Sequence, residues 1–346
     1  MKYTTLPNTD IKVSKICLGT MTFGEQNTEI EAHQQLDYAF DKGVNFIDTA
    51  EMYPVPGRAE TQGKTEQYIG TWLQKTKKRS QVILATKVTG PSSGMHYIRP
   101  DLGFSKKAIT EALTHSFQRL QTDYIDLYQL HWPERNANFF GKRGYRHYDK
   151  EKWQDNFYEV IRVLDALVKE GKIRHYGISN ETPWGTMRQL QESDKHLLTR
   201  AKTIQNPYSL LNRTFEIGLA EIALREKIGL LAYSPMAFGI LSGKYLHQKK
   251  PKNARLTLFP QMSRYLNPQV NFAVAQYAQL AEDYHMNLAQ LSLAFINQQA
   301  FVTSNIIGAT TMAQLEENIA SIELILPDEL LKEIDAIHEM QPNPAP

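Results

Sequence analysis

Seven apolar runs in the chain each stop abruptly on a polar or small residue. In order they are VNFID to Asp48, VILATK to Lys87, IDLYQLH to His131, HYGISN to Asn180, TIQN to Asn206, LLAYS to Ser234 and NIIGAT to Thr310. Short apolar runs without polar alternation are the pattern of parallel strands buried on both faces. An eighth run, ICLG, precedes them and ends at Gly19, Thr20 and Met21. Helical patterns alternate with these strands: EAHQQLDYAFDKG closed by Gly43, KTEQYIGTWLQK, SKKAITEALTHSFQRLQ, FYEVIRVLDALVKEG closed by Gly171, and TFEIGLAEIALREK. Ser105 and Thr214 are placed as N-caps. Strand–helix–strand alternation predicts right-handed βαβ units in a parallel sheet. The expected fold is α/β, a (β/α)₈ TIM barrel occupying residues 1–346 as one domain, with functional groups at the C-terminal strand ends.

Before the first barrel strand, KYTTL and KVSKI flank the turn cluster Pro7-Asn8-Thr9-Asp10, which predicts a hairpin able to plug the barrel bottom. Two connections, Trp132 to about Trp153 and Met236 to about Asn267, exceed ordinary loop length and leave strand ends on the expected active face. The tail QPNPAP is expected to lie extended or loose. Charge is balanced, 39 Lys plus Arg against 37 Asp plus Glu, which gives no whole-chain case for a nucleic-acid or membrane partner. The single cysteine, Cys17, sits in an apolar run, so it supplies neither an internal disulfide nor a cysteine-rich metal site. With no apolar leader and no stretch of ~20 apolar residues, the expectation is a cytoplasmic protein.

Four groups at or just beyond strand ends could act together if they meet in one pocket: Asp48, Tyr53, Lys87 and His131. A free phenol, with a pKa of ~10, is a poor acid near neutrality. A nearby ammonium lowers that pKa, and a carboxylate holds the ammonium in place. A histidine beside the phenol can bond a substrate oxygen. Such a set suits proton delivery to an oxygen that becomes an alkoxide, the need of hydride addition to a carbonyl. Taken singly, each has an ordinary structural use: Asp48 can cap, Lys87 can snorkel, Tyr53 can be a loop aromatic and His131 a strand-end residue. The reading rests on three separate βα units supplying matching groups at matching ends.

GVNFIDTAEMY, continuing through GKTEQYIG, resembles the signature of the aldo-keto reductases, and VILATK and DYIDLYQLHWP are similar to that family's next two blocks, in order. LGTMTFGEQN, EMYPVP, TIQNPYSLLNR and NIIGATT resemble its bacterial Tas-type subgroup, related to the potassium-channel β-subunit branch. The resemblance covers essentially the whole chain. It implies Tyr53 as general acid, Lys87 depressing its pKa, Asp48 pairing with Lys87, and His131 orienting the carbonyl of a small aldehyde or ketone.

A GxGxxG after the first strand is absent, so a Rossmann mode of dinucleotide binding is not expected. The resemblance places a nicotinamide carboxamide on Ser179, Asn180 and Gln205 and stacks the ring on Tyr233. Gly19, Thr20 and Met21 join the cofactor set, and Met21, Tyr53, His131, Trp132 and Phe238 are expected to line the substrate pocket. Phosphate contacts are expected after LLAYS, from Ser234, Pro235, Leu241, Gly243 and Lys244, since phosphate sites after the seventh and eighth strands suit this architecture. At the last strand end, where helix amides favour anions, Gly308, Thr310, Gln314, Glu317 and Asn318 match family positions around the adenosine. Many family members carry Lys and Arg where this chain has Gly308 and Gln314, cations that would bond a 2′-phosphate. Arg255 is a candidate replacement. The expectation is NADP(H) in preference to NAD(H), with no metal.

The segment WPERNANFFGKRGYRHYDKEKW interleaves aromatic and basic residues. It reads as a solvated loop with packing anchors, as a pocket wall favouring aromatic or anionic carbonyl compounds, or, unsupported by the balanced charge, as a single-strand nucleic-acid surface. Three function classes compete: a carbonyl reductase, a cofactor-sensing subunit with little turnover, and a metal-dependent hydrolase, the last lacking a second strand-end histidine. Nothing in the sequence sets the oligomeric state.

Overall fold

The turn cluster folds as expected into an antiparallel hairpin of β1 (Tyr3–Thr5) and β2 (Lys12–Ser14). The structure is a computed structural model and describes residues 1–345. From there the chain runs β3 (Ile16–Gly19), α1 (Glu29–Asp41), β4 (Phe46–Asp48), α2 (Lys64–Thr76), β5 (Ile83–Val88), α3 (Lys106–Leu120), β6 (Ile125–Leu130), α4 (Phe157–Lys169), β7 (Ile173–Ser179) and α5 (Pro183–Lys195). It continues through β8 (Thr203–Pro207), α6 (Leu219–Arg225), β9 (Gly229–Tyr233), α7 (Arg255–Leu258), α8 (Pro268–Asp283), α9 (Leu288–Asn297), β10 (Val302–Ile307), α10 (Met312–Ala320) and α11 (Asp328–Met340). Strands β3 to β10 close a parallel barrel in which β10 pairs with both β9 and β3.

Local chemistry explains the helix starts. Thr28 and Glu31 form a reciprocal capping box at α1, and Ser105 accepts the Ala108 N–H (3.1 Å) at α3. One expected helix is broken: TFEIGLAEIALREK gives a 3₁₀ turn at Thr214–Ile217 and then α6, with Gly218 between them. Thr214 is therefore not a cap; its own N–H donates to Asn212 Oδ1 (3.2 Å). Both long connections lack strands. The second folds into 3₁₀ turns and the short α7 before Asn267 caps α8. The tail is docked rather than loose. Ala345 is buried and bonds Leu211 O, while the Pro344 carbonyl accepts from Arg143 (2.6 Å) and Asn267 (3.0 Å).

The barrel interior is layered. Leu6, Ile11 and Val13 of the hairpin region pack against Cys17, Phe46, Ala85, Leu127, Leu231 and Ile306, which seals the bottom. Side chains two positions further along a strand share the same face. That step leads from Phe46 to Asp48, from Ala85 to Lys87, from Leu127 to Gln129 and from Leu231 to Tyr233. The apolar layer thus sets the azimuth of the polar layer above it. Among the described residues no helix is long and apolar enough to cross a membrane.

Candidate active site

Lys87, wholly buried, donates to Asp48 Oδ2 at 2.6 Å and to the Thr49 carbonyl at 2.8 Å. Burial alone would lower the Lys87 pKa, but Asp48 together with Tyr53 more than offsets it and holds the ammonium above its usual value. The Lys87 amine lies 5.0 Å from the Tyr53 ring centroid, and His131 stands edge-on to that ring at 5.9 Å between centroids. The turn carrying Tyr53 is pinned by main-chain bonds, Tyr53 N to Ala50 O (3.1 Å) and Gly63 N to Tyr53 O (2.8 Å). Beneath it, Glu51 is clamped by Arg99 at 2.8 and 2.9 Å.

Burial pushes the Tyr53 phenol above its ordinary range, and the Lys87 ammonium only partly pulls it back. The depressed value expected from Lys87 is therefore not the net state here. Desolvation by the barrel mouth is the larger effect, and the phenol stays protonated through the neutral range. His131 moves the other way: burial, reinforced by Lys87, holds it well below 6.5, so the imidazole is neutral. Its Nδ1 is buried without a hydrogen-bond partner among the described residues, and its carbonyl accepts from Asn180 Nδ2 (2.8 Å). Burial also raises the Cys17 thiol well above its usual value, which leaves it an inert core residue.

Gln129 is a member of this group that the sequence reading passed over. Its amide donates to Asp48 Oδ1 (3.1 Å), to which Gln205 also donates (2.8 Å), and its own carbonyl accepts from Gln205 (3.1 Å). Asp48 is thereby held by one ammonium and two amides. The available signal was position: Gln129 precedes His131 by two residues and interrupts an apolar strand. Gln129→Leu is expected to lower turnover about 10-fold or more, the scale of a lost hydrogen bond to a charged group. A variant with unchanged kcat and an unchanged nicotinamide KM would show that Gln205 alone fixes Asp48.

The remaining expected positions fall around the same mouth. A Cβ on Gly19 would meet Ile306 at 2.7 Å, and Thr20 donates to the Asp48 carbonyl at 2.8 Å. The Met21 carbonyl takes the Val55 N–H (3.1 Å). Ser179 Oγ donates to Gln205 O (2.7 Å), Asn180 Nδ2 to Ser179 Oγ (3.1 Å), and Tyr233 OH to Asn180 Oδ1 (2.6 Å). Gln205 Oε1 accepts from no donor among the described residues. Asn180, Ser234 and Phe238 all hold positive φ (56°, 53° and 58°), a costly conformation for residues with side chains and one that gathers at functional sites.

Pro235 and Leu241 are buried, and Gly243 turns the chain at φ 74° before Lys244. Arg255 lies over the Phe238 ring (5.3 Å), and its charge reaches Tyr53 and Lys244. Trp132 packs on His131 (4.9 Å between centroids) and donates to Pro91 O (3.1 Å). At the end of β10, Gln314 accepts from Thr310 N (3.0 Å), and Asn318 donates to Gly308 O (3.1 Å). Glu317 is engaged with Asn287. Gly308 is exposed, with open space where a side chain would begin. Among the described residues no group of three His, Cys, Asp or Glu is placed to hold a metal ion.

The amide and hydroxyl cluster at Ser179, Asn180 and Gln205 suits a carboxamide. Lys244 and Arg255 form no ion pair with a carboxylate among the described residues, so they are available to phosphates. This donor set fits a nicotinamide dinucleotide.

Comparison with known proteins agrees with the geometry. Residues 15–339 match the model of the aldo/keto reductase family. The chain is 52% identical to Protein tas of Escherichia coli over the full length of both. It is 33% identical to an uncharacterized oxidoreductase of Bacillus subtilis, covering 97% of this chain and 96% of that protein. Similarity to a probable voltage-gated potassium channel subunit beta of Arabidopsis thaliana is weaker, 27% identity over 99% of this chain and 98% of that one. The protein belongs to the aldo/keto reductase family and is an NAD(P)H-dependent oxidoreductase.

Proposed function

We propose that the chain acts as one barrel unit to reduce aldehydes or ketones to alcohols with NADPH, and that Tyr53 is the general acid. The observation that carries this reading is the buried Lys87–Asp48 pair beneath a protonated phenol, flanked by a neutral imidazole. When bound, a reduced nicotinamide supplies the hydride to the carbonyl carbon. Tyr53 passes its proton to the carbonyl oxygen, and neutral His131 donates a hydrogen bond to that oxygen and orients it. Lys87 stabilises the phenolate left behind until solvent returns the proton. Asp48, Gln129 and Gln205 keep the ammonium in register. Ser179, Asn180, Gln205 and Tyr233 would hold the nicotinamide end, Lys244 and Arg255 the phosphates, and Thr310, Gln314, Glu317 and Asn318 the adenosine end.

The test follows NADPH oxidation with para-nitrobenzaldehyde, repeated with NADH. Turnover supports the reductase. Tight NADPH binding without turnover of this or any other aldehyde would favour a cofactor-sensing role, the reading that the potassium-channel relative keeps open. The open space at Gly308 makes cofactor choice testable as well. Gly308→Lys is expected to lower the NADPH KM about 5- to 10-fold and leave that for NADH unchanged, since an added ammonium gains a charge-assisted bond only with a 2′-phosphate. An equal change for both cofactors would place the adenosine end elsewhere.

A further inference from the structure

A chain of ring contacts leads outward from Tyr53. His131 follows it, then Trp132 at 4.9 Å from His131, then Phe140 at 5.6 Å from Trp132. The Arg264 guanidinium caps this wall, 5.4 Å from the Phe140 centroid and 5.8 Å from that of Tyr265. Tyr265 in turn stands edge-on to Phe238 at 4.8 Å. Arg264 therefore sits on the rim where the connection after β6 meets the connection after β9. It is half-buried, and among the described residues it has no carboxylate partner.

A stack on Phe140 would serve to latch the two loops together. A latch, however, leaves the charge unneutralised, and the guanidinium's polar neighbours among the described residues are the phenols of Tyr233 and Tyr265. Arg255 and Arg264 come from the same connection after β9 and share Tyr265 as a neighbour, but Arg264 is stacked on Phe140 of the β6 loop whereas Arg255 lies over Phe238. We infer that Arg264 receives the anionic end of the substrate, so that the carbonyl compounds taken at this site have a flat body and a carboxylate remote from the carbonyl. The inference rests on the reductase reading for the carbonyl end. A planar carboxylate pairs with two guanidinium N–H groups at once, and a half-buried cation without a competing ion pair gives up no carboxylate in doing so.

The test compares 4-carboxybenzaldehyde with 4-methylbenzaldehyde for wild type, Arg264→Gln and Arg264→Lys, first at saturating NADPH and then with NADPH varied. Wild type should prefer the carboxylate about 10-fold or more in kcat/KM. Arg264→Gln should lose about 10- to 100-fold on that substrate, through KM, with the neutral aldehyde and the NADPH KM unchanged. Arg264→Lys should restore part of the loss, because charge returns without the bidentate fork. Equal use of both aldehydes by wild type, or an equal fall on both in Arg264→Gln, would make Arg264 a latch and overturn the inference with the reductase intact. A rise in the NADPH KM with either aldehyde would assign Arg264 to the cofactor and overturn it too. Calorimetric titration of benzoate into the NADP-loaded protein reads the same site without turnover. Binding by wild type, lost in Arg264→Gln, supports the inference even if no aldehyde is reduced; no binding by wild type sinks it.

Discussion

Tyr53→Phe should reduce turnover by about 10²- to 10⁴-fold with little change in either KM, the range for removal of a positioned general acid. The ring and its packing against His131 are kept, so the loss reads the proton alone. The pH dependence follows from the direction of the shift. Burial holds the phenol above its usual value, so the acid form is complete through neutrality and is lost only as pH rises through that raised pKa. Reduction should be flat on this account from neutral pH into the alkaline range, and alcohol oxidation, which needs the phenolate, should rise with pH. With His131 already neutral, no step near pH 6.5 is expected from it. Steady-state rates of wild type and Tyr53→Phe across pH decide the matter, and full activity in Tyr53→Phe would remove the phenol from the mechanism.

Lys87→Met should be the most destabilising single change at the site. It strips the ammonium from a carboxylate that is 2% exposed, and breaking a buried ion pair on one side costs about 3–5 kcal/mol. Gln129 and Gln205 still donate to Asp48, which keeps the loss from exceeding that range. Urea unfolding midpoints should show the loss, and turnover should fall about 10²-fold or more because the phenolate has no counter-charge. In the double variant Asp48→Asn with Lys87→Met, most of the stability should return while activity stays low. Recovery of both together would mean that the pair serves the fold alone; a single variant as stable as wild type would mean that the amides of Gln129 and Gln205 suffice to hold Asp48.

How much of this could be read from the chain depends on which physical rule left a mark there. Strands buried on both faces must be apolar throughout, so they stood out, and their abrupt polar ends marked Asp48, Lys87, His131 and Asn180. Tyr53, on the loop beyond Asp48, carried no periodic signal and was picked out by its chemistry beside Lys87 and by the family signature around it. Gln129 sits inside DLYQLH, where one amide in an apolar run looks like noise unless its pleat face is counted from His131. The break at Gly218 shows a local preference prevailing over a helical period. The docking of Pro344 and Ala345 was hidden because a proline-rich tail carries no periodic signal, and its partners, Arg143, Asn267 and Leu211, are scattered along the sequence. Net phenol acidity was equally illegible, since the sequence names Lys87 as a neighbour but does not show how little water reaches the pair.

The hairpin that seals the barrel floor has a wider meaning for how such a molecule can change. Because Leu6, Ile11 and Val13 complete the apolar packing from below, the inside of the barrel is apolar at one end of its axis and reactive at the other. Between the two stands a single pleat step, from Phe46 to Asp48 or from Ala85 to Lys87. Alterations in the overhanging connections can redirect what enters the mouth without reaching that foundation. A new specificity can therefore be acquired on this chain one loop residue at a time, while the inherited hydride chemistry is left standing.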